Sequence, residues 1–144
     1  MGTKLFLDTN ILVDFLDKAR ISHLDAVAIF SNSIVGNTQL YCSESVITTV
    51  DYLLHKILTP QLLHKVMVEL VAVVIILPCT NEIVETALKN NSGDLEDAIL
   101  YQIALEGKMD YFVTNDKKAL KMLKKGSLEV LSSKGMIMKI KNYS

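Results

Sequence analysis

Two rhythms alternate along this chain. Short apolar runs, Lys4–Leu7, Gln39–Cys42, Val73–Leu77, Tyr111–Val113 and Leu128–Leu131, predict strands. Val73–Leu77 is β-branched and stops at Pro78, the pattern of a buried strand. Stretches with helical spacing lie between the runs: Ile11–Leu16, Ser22–Ser33, Ser45–Leu58, Gln61–Val71, Thr80–Asn90, Asp94–Leu105 and Lys117–Lys124. Pro60 falls where a first helical turn tolerates it, Asn91-Ser92-Gly93 is a break, and Gly107 ends the sixth helix. Strands alternating with helices over short connections predict an α/β fold around a mainly parallel sheet. No Pro/Gly/Ser-rich linker or repeat divides residues 1–144, so one domain is expected.

Composition sets limits on that picture. Half the residues are apolar and 22% are charged, which excludes a disordered chain. The longest apolar run, Leu70–Leu77, is far short of the roughly 20 residues a bilayer span needs. The first residues carry no signal-peptide pattern, so a cytosolic protein without membrane attachment is expected. Cys42 and Cys79 have no Cys or His at metal-ligand spacing and are expected to be reduced, half-buried apolar residues. The three histidines are scattered through helical stretches and suggest no catalytic role.

Charge is unevenly spread. Residues 1–116 hold seven basic residues against fifteen acids, whereas residues 117–144 hold eight lysines against Glu129 alone. An acidic body with a lysine-rich C-terminal part suits a clamp for a polyanion beside a metal site, or simply a solvated lysine face.

Four acids stand out by position. Asp8 directly follows the first strand, and Asp116 follows Tyr111–Val113 by a short step. Functional groups in parallel sheets gather beyond the carboxyl ends of strands, so these two should share one edge. Each would equally serve as an N-cap for the helix behind it. Asp51 lies about 90° from the centre of its helix's apolar stripe, at the border of the buried face. Asp97 sits with Asp94 and Glu96 in the first turn of a helix that is apolar almost all round. Carboxylates without His or Cys are hard-oxygen ligands, suited to Mg²⁺ or Mn²⁺ and not to zinc.

Three segments carry a family resemblance. Asp8-Thr9-Asn10-Ile11-Leu12-Val13-Asp14 resembles the opening motif of PIN domains, the fold of the VapC toxins. Asp94-Leu95-Glu96-Asp97-Ala98 is similar to their third motif, and Tyr111-Phe112-Val113-Thr114-Asn115-Asp116 to their last. Order and spacing match through about Leu131. The resemblance implies a three-layer sandwich around a parallel sheet, Mg²⁺- or Mn²⁺-dependent cleavage of RNA, frequent homodimers, and an antitoxin partner in toxin members. Two positions depart from the pattern. The family's second acid is most often Glu, where the matching helix here offers Asp51, with Glu44 as the alternative. Many members also carry Asp-Phe where this chain has Ala119-Leu120.

The expected activity is therefore metal-dependent endoribonuclease. Asp8, Asp97 and Asp116 would hold metal, and Asp51 would complete the catalytic set. Asn10, Thr114 and Glu96 would orient ligands or water. Lys117, Lys118 and Lys121, with Lys124 and Lys125 behind them, would hold the RNA backbone. Two other classes compete. A haloacid-dehalogenase-like phosphatase also places Asp after its first strand, but its motif needs a second Asp two residues on, where this chain has Asn10. A catalytically silent PIN-like interaction module is the non-enzymatic reading, and a metal-dependent nuclease assay separates it.

Overall fold

A computed structural model of the chain describes residues 2–90, 93–124 and 126–143. The chain runs β1 (Thr3–Leu7), α1 (Thr9–Leu16), α2 (His23–Ile34), β2 (Thr38–Ser43), α3 (Glu44–Leu54), α4 (Pro60–Val73), β3 (Val74–Leu77) and α5 (Asn81–Asn90). It continues through α6 (Leu95–Glu106), β4 (Tyr111–Val113), α7 (Lys117–Leu123), β5 (Glu129–Leu131) and α8 (Ser133–Tyr143). All four strand pairings are parallel, in the order β3-β2-β1-β4-β5. The helices pack in two groups, α1 with α2 and α3 and α2 with α8, against α5 with α6 and α6 with α7. The three-layer α/β sandwich expected from the resemblance is the observed architecture.

Apolar burial explains why the central strands sit where they do. Leu5, Phe6 and Leu7 of β1 and Phe112 and Val113 of β4 are wholly buried, as strands covered on both faces require. Phe6 and Phe112 stack with ring centroids 5.3 Å apart, which locks β1 against β4. The register pairs Leu7 with Val113. Their successors, Asp8 and Thr114, therefore leave the sheet side by side at the same edge.

Local signals set most helix starts. Asp8, Ser43, Thr59, Asp94 and Asp116 each accept a backbone N–H of the helix they precede. Helix α3 stops at Leu54, four residues before the expected Leu58. Thr59 stands in extended backbone ahead of Pro60, which disfavours helical geometry at the residue before it. The sequence pattern does not predict helix α8. Met136 of this helix is 1% exposed, packed against the core. Asn91 and Ser92 of the expected break lie outside the described residues. The cysteines differ from expectation: Cys42 is fully buried and Cys79 exposed, both without a disulfide. No helix among the described residues is long and apolar enough to cross a membrane.

Candidate active site

The edge shared by β1 and β4 carries a compact set of hydrogen bonds. Asp8 is 5% exposed, and its Oδ1 accepts the Thr9 backbone N–H at 2.8 Å. Its Oδ2 accepts the Thr114 hydroxyl at 2.8 Å and Asn10 Nδ2 at 3.2 Å. Asn10 Nδ2 also reaches Thr114 Oγ1 at 3.1 Å, and Asn10 Oδ1 accepts the Asn115 backbone N–H at 2.8 Å. Thr114 Oγ1 in turn accepts the Asp116 backbone N–H at 3.1 Å. Asp8, Asn10, Thr114 and Asp116 are thus held as one unit.

Helix α6 aims its N-terminus at the same place. Asp94 caps it through the Asp97 backbone N–H at 3.0 Å, and Asp97 and Glu96 line the same pocket as Asp8. A pocket of about 420 Å³ results, bordered by Asp8, Asp17, Asp94, Glu96, Asp97 and Asp116, with Leu53, Leu54 and Ile57 on another wall. Arg20 is the one cation lining it among the described residues.

So many acids in one cleft oppose each other's ionisation. Burial, then the charges of Asp8, Asp94, Asp116 and Glu96, push the Asp97 carboxyl up to about 7. Glu96 is raised by burial and by Asp8 and Asp94. Asp8 is raised by burial, against which the Thr114 and Thr9 hydrogen bonds act, and Asp116 raises it further.

A hard divalent cation fits this donor set. Every charged donor is a carboxylate oxygen, and Asp8's three hydrogen bonds leave about one of its four lone-pair directions open. Mutual repulsion supplies the driving force for taking up positive charge. As the rotamers stand, no three Asp, Glu, His or Cys side chains among the described residues are close enough to ligate one ion. Closing around a cation requires side-chain rotation, chiefly by Asp97, Glu96 and Asp116 at the more open side.

The chain is similar to known proteins in sequence and in fold. The PIN-domain family model matches residues 4–118. The chain belongs to the PIN-domain family. Ribonuclease VapC1 of Aquifex aeolicus (strain VF5) is 32% identical over 119 residues, covering 79% of this chain and 82% of that one. Solved PIN structures share the fold at low identity. VapBC2 from Rickettsia felis, bound to a DNA fragment from its promoter, matches with TM-score 0.64 and 16% identity, covering 90% of this chain and 98% of that one. VapC20 of Mycobacterium tuberculosis, described as a sarcin-ricin loop cleaving toxin, gives 0.62 and 15%, covering 80% of this chain and 92% of its own.

Within this PIN domain the sequence-derived residues separate. Asp8, Asp97, Asp116, Asn10 and Glu96 line one pocket, and Thr114 bonds to Asp8 beneath it. Asp51 is exposed and does not border that pocket; α3 presents Thr49 and Leu53 there instead. Glu44 lines a separate, largely apolar cavity of about 780 Å³, which touches the acidic pocket only through Glu96. Lys117, Lys118, Lys121 and Lys124 are exposed on and just after α7, and Lys125 lies outside the described residues.

Sequence reasoning missed Asn115. Its side chain donates to Asp14 Oδ2 and to Ser133 Oγ, both at 3.0 Å, and accepts the Ser133 backbone N–H at 2.9 Å, tying α1 and α8 to the β4 edge. Its place beside Asp116 was the available signal, since Asn is a frequent side-chain-to-backbone bonding residue.

Proposed function

We infer that this chain is a Mg²⁺- or Mn²⁺-dependent endoribonuclease and the toxin of a toxin–antitoxin pair. One observation carries the reading: Asp8, Asp97 and Asp116, from three separate elements, border a single pocket in which Asp8 is fixed by Thr114 and Asn10. The 32% identity to a protein named ribonuclease VapC1 supports the reaction class. The likeness to VapBC2 supports an antitoxin partner.

Asp8, Asp97 and Asp116 would hold the ion, with Glu96 beside it. A bound divalent cation polarises a phosphoryl oxygen and makes water a better nucleophile near neutral pH. The chain's own groups do the rest. Thr114 and Asn10 hold Asp8 in one rotamer, so its carboxylate is preorganised. Glu96, whose carboxyl is made more basic by burial and by the charges of Asp8 and Asp94, stands where it can accept a proton from an attacking water or orient it. Leu53, Leu54 and Ile57 keep one wall free of competing polar groups. Lys117, Lys118 and Lys121 follow Asp116 directly and would hold RNA phosphates leading to the site.

Exposed Ile57, Leu62, Val68 and Val71 on and around α3 and α4 offer apolar surface to an antitoxin or a second copy of the chain. A homodimer and a cytosolic location belong to the same proposal. The test is incubation with mixed RNAs, with and without Mn²⁺, beside Asp8→Asn. Cleavage by wild type alone, and only with metal, is expected. No cleavage by wild type at any metal concentration would leave the silent interaction module standing.

A further inference from the structure

Arg20 is the one arginine of the sequence, and two clefts meet at it. The acidic pocket lies on one side. On the other is a cleft of about 620 Å³, lined by Asn10, Asp14, Arg20, Ser22, Asn115 and Asp116 among others. No other Lys or Arg among the described residues lines either space.

The guanidinium is aimed. Its Nε donates to Asp14 Oδ1 at 2.9 Å, and Asp14 is a buried carboxylate, 4% exposed. The other oxygen of Asp14 accepts Asn115 Nδ2 at 3.0 Å, and the Asn115 backbone N–H donates to Asn10 Oδ1 at 2.8 Å. The bonds that set Asn10 beside Asp8 therefore also set Arg20. Of the five N–H groups on a guanidinium, one is taken by Asp14. The four on Nη1 and Nη2 make no hydrogen bond to the described residues, and Asp14 is its one ion-pair partner among them. The side chain is 45% exposed, so those donors face solvent where the clefts join.

We propose that Arg20 is a phosphate-binding residue for the RNA, gripping a backbone phosphate next to the one cleaved. The strand then passes from the acidic pocket over Arg20 into the second cleft. This rests on the ribonuclease reading above. A polyanion entering a pocket bordered by six carboxylates needs a cation at its threshold, and a planar fork with paired free N–H groups suits a phosphate's two oxygens. The lysines of α7 are separate from it, because none of them lines either cleft. A structural role alone, neutralising buried Asp14, would leave RNA binding indifferent to the guanidinium.

The test uses the full chain carrying Asp8→Asn, so that RNA stays intact, in millimolar Mn²⁺. Binding of an unstructured labelled oligoribonucleotide is followed by fluorescence anisotropy across a salt series. Arg20→Gln should bind about tenfold more weakly, as removal of a charge-assisted hydrogen bond predicts. Its slope of log affinity against log salt should fall by about 0.7, the share of one neutralised phosphate. Arg20→Lys should keep the slope. Asp14→Asn combined with Arg20→Gln should recover the melting temperature that Arg20→Gln alone gives up, without recovering the slope. In the otherwise wild-type enzyme, Arg20→Gln should raise KM with kcat little changed.

An unchanged slope in Arg20→Gln, or RNA binding restored together with stability in the double variant, overturns the proposal and leaves the nuclease reading intact. Absence of RNA cleavage by wild type overturns both.

Discussion

Thr114 and Asp8 are 106 positions apart in the chain, and the Thr114 hydroxyl donates to Asp8 Oδ2 at 2.8 Å. The bond is buried, and it favours the charged carboxylate against the burial that opposes it. Asp8 is thus kept both oriented and closer to ionised. Thr114→Val retains shape and removes the donor. Mn²⁺ affinity should drop by roughly tenfold or more, as is usual when a ligand's supporting partner is removed. Titration calorimetry measures it, and unchanged affinity would reduce Thr114 to packing.

The acids of the pocket predict a pH dependence with a definite sign. An acid whose folded pKa exceeds its unfolded value binds more protons folded than unfolded between the two, so stability falls as pH rises through that window. For Asp97 the window runs from 3.8 to about 7, and Asp8 and Glu96 shift in the same direction. In chelator the protein should melt lower at about pH 7.5 than at about pH 5. Asp97→Asn should flatten that slope, and Mn²⁺ should restore stability at the higher pH. A chelated protein that melts higher at the higher pH would contradict this electrostatic account.

Placement of α3 yields a sharper division among acids. Asp97→Asn should abolish Mn²⁺-dependent cleavage while leaving the fold intact. Asp51→Asn and Glu44→Gln should cleave within about twofold of wild type, because neither residue borders the acidic pocket and surface changes of this kind are mild. Single-turnover cleavage of one RNA decides it. Loss of activity in Asp51→Asn with the fold preserved would return that residue to the catalytic set.

The lysines give a graded expectation. Replacing Lys117, Lys118 and Lys121 by Gln should lower the salt slope of RNA binding by about 0.7 for each phosphate no longer neutralised. Circular dichroism should stay unchanged, since all three side chains are exposed. A slope equal to that of wild type would make α7 a solvated face and nothing more.

Much of this was legible in the chain. Strand runs gave the parallel α/β sheet, and Asp8 and Asp116 were marked by following strands. The Asp51 position shows where periodicity runs out. Val46, Val50 and Leu54 form the buried stripe of α3. At about 100° per residue, Asp51 and Thr49 lie near opposite borders of that stripe, each roughly 100° from its centre. Pattern alone treats the two borders alike. Only the packing of α3 against α1 decides that the Thr49 side meets Asp8. Arg20 was illegible for a related reason, and Asn115 carried only its place beside Asp116 as a signal. Their meaning comes from Asp14, which stands 6 and 101 positions from them respectively. Helix α8 opens on Ser133-Lys134-Gly135, and a glycine in the first turn weakens the helical signal of Met136, Ile137 and Ile140 behind it.

The pairing of β1 with β4 has a consequence for folding. Asp8 and the hydroxyl that orients it come from distant parts of the chain, so the centre cannot form from local contacts. Until β4 inserts beside β1, the chain holds its first acid without the Thr114 hydroxyl or the carboxylates that share its pocket. The pocket is therefore tied to long-range closure of the sheet, and a chain that has paired only β1 with β2 does not hold it.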